Sequence, residues 1–155
     1  MAGVSTVAGS KGAGFLDGSA TSAKFSYPHS VAVRPTTGEI IVAEYWTYRI
    51  RSISTGGLVD VCYATKHWLN IIVIVFMRFV GIVSTIAGSA PGYLDGLGTE
   101  AKFNNPVGVA VLISGVIVVS DFGNNMVRSI STAGTGYSIS HNVSNIRGVS
   151  MSRVN

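Results

Sequence analysis

A single cysteine, Cys62, stands in this chain of 155 residues, which excludes an internal disulfide framework. Charge is also scarce. Charged residues make up 12% of the sequence and Asp and Glu number 7, which leaves little material for polar catalysis. The excess of Lys and Arg gives a net charge of +4, yet it contains no basic run, so it reads as solvated surface charge rather than a nucleic-acid or lipid patch. The opening Met1–Ser10 has neither a charged start nor an apolar core, and so does not fit a secretory signal peptide. What is abundant is glycine, at 19 residues, together with 47% hydrophobic types, a balance that favours a turn-rich β protein over a helical or disordered one.

The chain repeats itself. GFLDGSATSAKFSYPHSVAV at Gly14–Val33 returns as GYLDGLGTEAKFNNPVGVAV at Gly92–Val111. VSTVAGS at Val4–Ser10 returns as VSTIAGS at Val83–Ser89, GEIIVAEYW at Gly38–Trp46 as GVIVVSDFG at Gly115–Gly123, and RIRSISTGG at Arg49–Gly57 as MVRSISTAG at Met126–Gly134. Each unit holds four short Val- and Ile-rich runs bounded by Gly, Pro, Asn, Asp and Ser, the signature of strands and turns. In the first unit they are Val31–Val33, Ile40–Ala43, Tyr48–Ile53 and Val83–Ala87. The expected class is all-β, a β-propeller fragment built of four-stranded antiparallel blades.

Residue by residue the units resemble the NHL repeat family, on AKFNNPVGVAV, VVSDFGNN and MVRSIS in the second unit and AKFSYPHSVAV, IVAEYWTY and RIRSIS in the first. The first unit departs from that pattern at Ser26, Ser30 and Glu44. In this frame blade one spans 4–57 and continues at 81–89, an insert occupies 58–80, blade two spans 90–140, and 141–155 begins a degenerate third blade. The motif residues read as structural. Asp17-Gly18 and Asp95-Gly96 suit tight turns in which the carboxylate accepts a backbone hydrogen and Gly takes positive φ. Phe25 and Phe103 are expected to plug the space between blades, and Pro28 and Pro106 to start the innermost strands without wasting a ladder donor.

The insert interrupts the period, and without it the units recur about every 55 residues. It falls in the hairpin between third and fourth strands, where the added loop length costs only around 2 kcal/mol in closure entropy. Its composition is foreign to the repeat, as translated non-coding sequence or a gene-model error would be. A membrane span over 68–87 is the competing reading. Its apolar residues gain roughly 4 to 7 kcal/mol on insertion while Arg78 returns about 3 and several polar residues oppose further. Such a span would also consume the strand expected at Val83–Ala87.

No catalytic constellation emerges. The carboxylates Asp17, Glu39, Glu44, Asp60, Asp95, Glu100 and Asp121 recur partly with the units, as turn residues do, and show no spacing that gathers them as an acid/base pair. Cys62, Lys66 and His67 lack the further ligands a zinc site needs, and no cofactor or metal motif is present. The second-to-third strand turns, at Tyr45–Thr47 and Phe122–Asn125, carry the candidate recognition residues Tyr45, Trp46, Asn124 and Asn125, a mix of aromatic anchors and adaptable hydrogen bonders. The resemblance implies a non-catalytic scaffold that binds a protein or other macromolecule through its loop faces. Alternatives are a propeller enzyme of lactonase or lyase type whose active site lies in missing blades, an RNA-binding propeller, and a membrane-tethered one. Self-assembly or further blades would be needed to close a ring.

Overall fold

The computed structural model describes residues 3–55, 81–131 and 136–139. The insert at 58–80 and the partial third unit at 141–155 lie outside them. The described chain is all-β and antiparallel, in two sheets. The first is ordered β1 (Gly18–Ser19), β5 (Ile82–Ala87), β4 (Arg49–Ile53), β3 (Ile40–Glu44), β2 (Pro28–Val33). The second runs β6 (Pro106–Val111), β7 (Ile117–Asp121), β8 (Met126–Ile130), β9 (Gly136–Ile139). Gly38 and Gly115, at φ 73° and 87°, close the β2–β3 and β6–β7 hairpins in a conformation that only glycine adopts freely.

The first sheet has five strands, where the sequence reading expected four. The Asp-Gly loop adds β1, whose Gly18 and Ser19 pair with Val83 and Ile82. The Ala20 N–H, donating to the Gly81 carbonyl at 2.7 Å, extends the same ladder. A short strand laid on β5 covers an edge that would otherwise present unpaired backbone groups. Ile82–Ala87, which a membrane span would have drawn in, is a strand paired on both sides. Among the described residues no helix is long and apolar enough to cross a membrane.

The register sorts side chains by face. Val42 pairs with Arg51 and Ala43 with Ile50, so Ile40, Val42 and Glu44 share one face of the first sheet with Arg51 and Ile53. Ile41, Ala43 and Ile50 take the other. That second face meets the second sheet, where Val109, Ile117, Val119 and Ile130 join it around Phe103 in one core cluster. Phe103, 1% exposed, fills the space between the sheets. Burying each of these Ile, Val and Phe side chains contributes about 1.5–3 kcal/mol. Phe25 instead packs with Ala23, Val42, Ile53 and Val83 on the first sheet's outer face.

Candidate functional site

Four of the carboxylates, Asp17, Glu44, Asp95 and Asp121, come together in ion pairs and not as a free acid/base pair. They converge on two arginines that the sequence reading left as strand residues. Arg51, with a side chain 0% exposed, bonds Glu44 at 3.0 Å and Asp17 at 2.7 Å. Its guanidinium also donates to the Leu16 and Lys24 carbonyls at 2.8 and 3.1 Å. Arg128 repeats the arrangement with Asp121 at 3.1 Å, Asp95 at 2.6 Å and the Leu94 and Lys102 carbonyls. Each arginine ties the Asp-Gly loop to the middle of its own sheet, with its guanidinium lying over Phe25 at 4.9 Å or Phe103 at 4.6 Å. The signal in the sequence was an arginine held at the same place in the corresponding strand of both units, Arg-Ser-Ile-Ser each time.

Side-chain lengths compensate between the two hubs. Glu44 reaches its backbone donor, Ser26 N–H, at 2.9 Å and accepts from the Thr47 hydroxyl at 2.6 Å. Asp121, one methylene shorter, accepts from Asn104 N–H at 2.7 Å and from the longer Asn124 amide at 2.8 Å. Burial raises the Asp121 carboxyl above its ordinary value of 3.8, against the opposing pull of the Asn104 N–H, the Asn124 amide and Arg128. With an arginine between each pair of carboxylates, these hubs hold the fold and offer no free acid or base. Among the described residues no group of three or more His, Cys, Asp and Glu could hold a metal ion.

The sequence-selected motif residues take these places. Asp17 accepts from both the backbone N–H and the hydroxyl of Thr85, at 3.0 and 2.9 Å, besides its bond to Arg51. Gly18 has φ 136°, but Gly96 does not have positive φ; in that loop the left-handed residue is Gly98, at 49°. Asp95 bonds Arg128. Pro28 and Pro106 open β2 and β6. Asn124 is half-buried, its amide donating to Asp121 and to the Gly92 carbonyl at 2.9 Å. Asn125 is exposed, in the left-handed region at φ 56°.

Tyr45 and Trp46 belong to an aromatic group larger than the sequence suggested. Trp46, 54% exposed, lies edge-on to Tyr45 and to Tyr27, each at 5.7 Å between ring centres, and Tyr27 is 66% exposed. His29 stacks on Tyr45 at 6.2 Å. Its Nδ1 lies 2.9 Å from the Val107 carbonyl, which can only accept, so Nδ1 carries the proton and donates. The group exists because the first unit departs from the second at one end of the sheet. Tyr27 and Tyr48 hold left-handed φ of 52° and 57° where the second unit places Asn105 and Asn125 at 52° and 56°. Asparagine tolerates that region and tyrosine pays more for it. Trp46 stands where the second unit has Gly123, at which a Cβ would come within 2.5 Å of the Asn104 side chain and 2.8 Å of its carbonyl oxygen. The first unit has the smaller Ser26 in place of Asn104, which removes the side-chain part of that conflict.

At the other end of the first sheet a shallow, open depression is lined by Thr37, Glu39, Ser54 and Thr55. Its carboxylate is engaged by Arg34 at 2.8 Å. No protein-family model and no curated protein matches the sequence. Among solved structures the chain is similar in part to an auxiliary nutrient binding protein from Bacteroides thetaiotaomicron VPI-5482, at 14% identity and TM-score 0.48 over 70% of this chain and 24% of that one. A second, from Bacteroides ovatus ATCC 8483, matches at 12% identity and TM-score 0.43 over 75% of this chain and 36% of that one. This chain thus spans 24% and 36% of their lengths, and nothing of what they bind passes to it.

Proposed function

We propose that the chain forms two units of an NHL-like β-propeller acting as a non-catalytic binding module. In this reading blade one comprises 4–57 and 81–89, blade two comprises 90–140, and the end of the first sheet around Tyr27, Tyr45 and Trp46 is the recognition surface. One observation carries the proposal. Tyr27 and Trp46 are exposed large aromatics at sites where the second unit has Asn105 and Gly123, and Tyr27 sits in a backbone region that disfavours it. Strain of this kind, on an exposed side chain that contributes little to the core, is retained where the side chain has a use. Rigid aromatic rings with few rotatable bonds give large contact area at low entropic cost, which suits a protein partner. Asn125 lies on the equivalent turn of the second unit and extends the surface, whereas the Asn124 amide is committed to internal bonds.

A displayed peptide library selected against the full chain tests this. Selected peptides should shift the emission of Trp46, read in a Trp68→Phe background, and should lose at least tenfold in affinity with Trp46→Ala or Tyr27→Ala. Selection of peptides whose affinity neither substitution changes would sink the reading. Binding of a single-stranded RNA homopolymer that weakens steeply with salt would move it to the RNA-binding alternative.

A further inference from the structure

The two units share a strand pattern but not its burial. Val31 and Val33 of β2 are 66% and 57% exposed. Their counterparts in β6 are covered: Val109 is 3% exposed and Val111 packs against the core between the sheets. The cause is position, because β6 lies against the first sheet while no described sheet lies against that side of β2. The complementary difference appears at the other end of the pair. Ile41 and Ile50 are each 0% exposed beneath the second sheet, yet Val118 and Val127, at the same strand positions of the second unit, are half-buried. Phe103 is sealed between sheets while Phe25, its counterpart, is half-buried.

Each of these incompletely covered faces is thus one half of a contact that the molecule already makes once internally. We infer that a second copy of this chain completes it, seating the Val118 and Val127 face of one copy on the Val31, Val33 and Phe25 face of the next. The contact is heterologous, so it propagates head to tail until a ring closes. The internal junction serves as its template. There, β-branched residues of β6 and a loop phenylalanine meet the Ile41, Ala43 and Ile50 face.

The template also sets the strength. Across the internal junction His29 bonds the Val107 carbonyl at 2.9 Å, Arg34 bonds the Gly115 carbonyl, the Val109 N–H donates to the Ser30 hydroxyl at 3.4 Å, and the Asn105 amide reaches the Tyr45 carbonyl at 3.5 Å. A junction between copies places Val107, Gly108 and Leu112 where His29, Ser30 and Arg34 act, and Tyr27 where Asn105 acts. All four bonds are lost and only apolar burial remains. The association is therefore weak and concentration-dependent.

Sedimentation velocity on the full 155-residue chain over a hundredfold concentration range tests this. The mean mass should rise with concentration. Val31→Asp with Val33→Asp should hold the chain monomeric with an unchanged far-UV circular dichroism spectrum, because both side chains already face solvent. Val118→Asp blocks the opposite half. An equimolar mixture of the two blocked chains should form a one-to-one heterodimer and nothing larger, since one intact half survives on each. A wild-type chain that stays monomeric throughout would overturn the inference. So would association that the Val31 and Val33 substitutions leave untouched, or a mixture of folded blocked chains with no heterodimer.

Discussion

Replacing Arg128 by methionine removes the centre of the second hub while keeping side-chain volume, and its cost follows from what is left behind. Asp121 is 0% exposed and loses its cationic partner, keeping only the Asn104 N–H and the Asn124 amide. The Leu94 and Lys102 carbonyls each lose one of their two donors as well, keeping the N–H of the other residue. Breaking a buried ion pair from one side costs about 3–5 kcal/mol, a large share of the roughly 5–15 kcal/mol that holds a typical domain together. The comparison variant is Asp95→Ala. The Asp95 side chain is 39% exposed, so solvent screens its bond to Arg128 and the expected loss is about 1 kcal/mol or less. Adding Asp121→Asn to Arg128→Met should restore part of the loss, because the stranded charge goes with it. The cost should also shrink on acidification from pH 7 to 4. Burial already raises the Asp121 carboxyl above 3.8, and without the guanidinium it takes up a proton still more readily. Urea unfolding at both pH values, followed by circular dichroism, measures each quantity. An Arg128→Met loss of about 1 kcal/mol or less at pH 7, or one that does not change with pH, would refute the reasoning.

Asp121 also predicts a pH dependence of its own. A carboxyl raised in the folded state contributes stability that is fully present below 3.8 and lost as pH rises through its folded value, because the unfolded chain ionises first. Asp121→Asn should flatten that part of the urea-midpoint curve. Tyr27→Asn should raise stability by about 1 kcal/mol by relieving left-handed strain, read as a higher urea midpoint. Gly123→Ala should destabilise by about 1–3 kcal/mol through its contact with Asn104, and Asn104→Ser should recover a measurable part in the same assay. Trp46→Ala should change stability by only about 0.5 kcal/mol, as expected for an exposed site, which makes it usable as a binding probe.

Much of the fold was legible because strand periodicity and turn chemistry are local. Val31–Val33, Ile40–Ala43, Tyr48–Ile53 and Val83–Ala87 were expected as strands, and the observed β2 to β5 overlap each of them. β1 escaped notice since Gly18 and Ser19 carry no β pattern and pair only because the Asp-Gly loop folds back onto β5. The arginine hubs were hidden for a similar reason. Asp17 stands far from Arg51 in the chain and Glu44 seven residues away on the next strand, and only the β3–β4 register and the loop's path bring three charges to one point. The aromatic group was half visible. Tyr45 and Trp46 are adjacent in sequence, but Tyr27 and His29 reach them from across the β2–β3 pair.

The sequence by itself determined that this protein repeats a strand-and-turn unit twice, since period-two apolar runs and glycine turns act over a few residues and need no partner to be read. Tertiary structure alone decided which copy of each repeated residue is buried. Val31 and Val109 occupy the same place in the same motif, at 66% and 3% exposure, because burial belongs to the neighbour a residue meets and not to the residue.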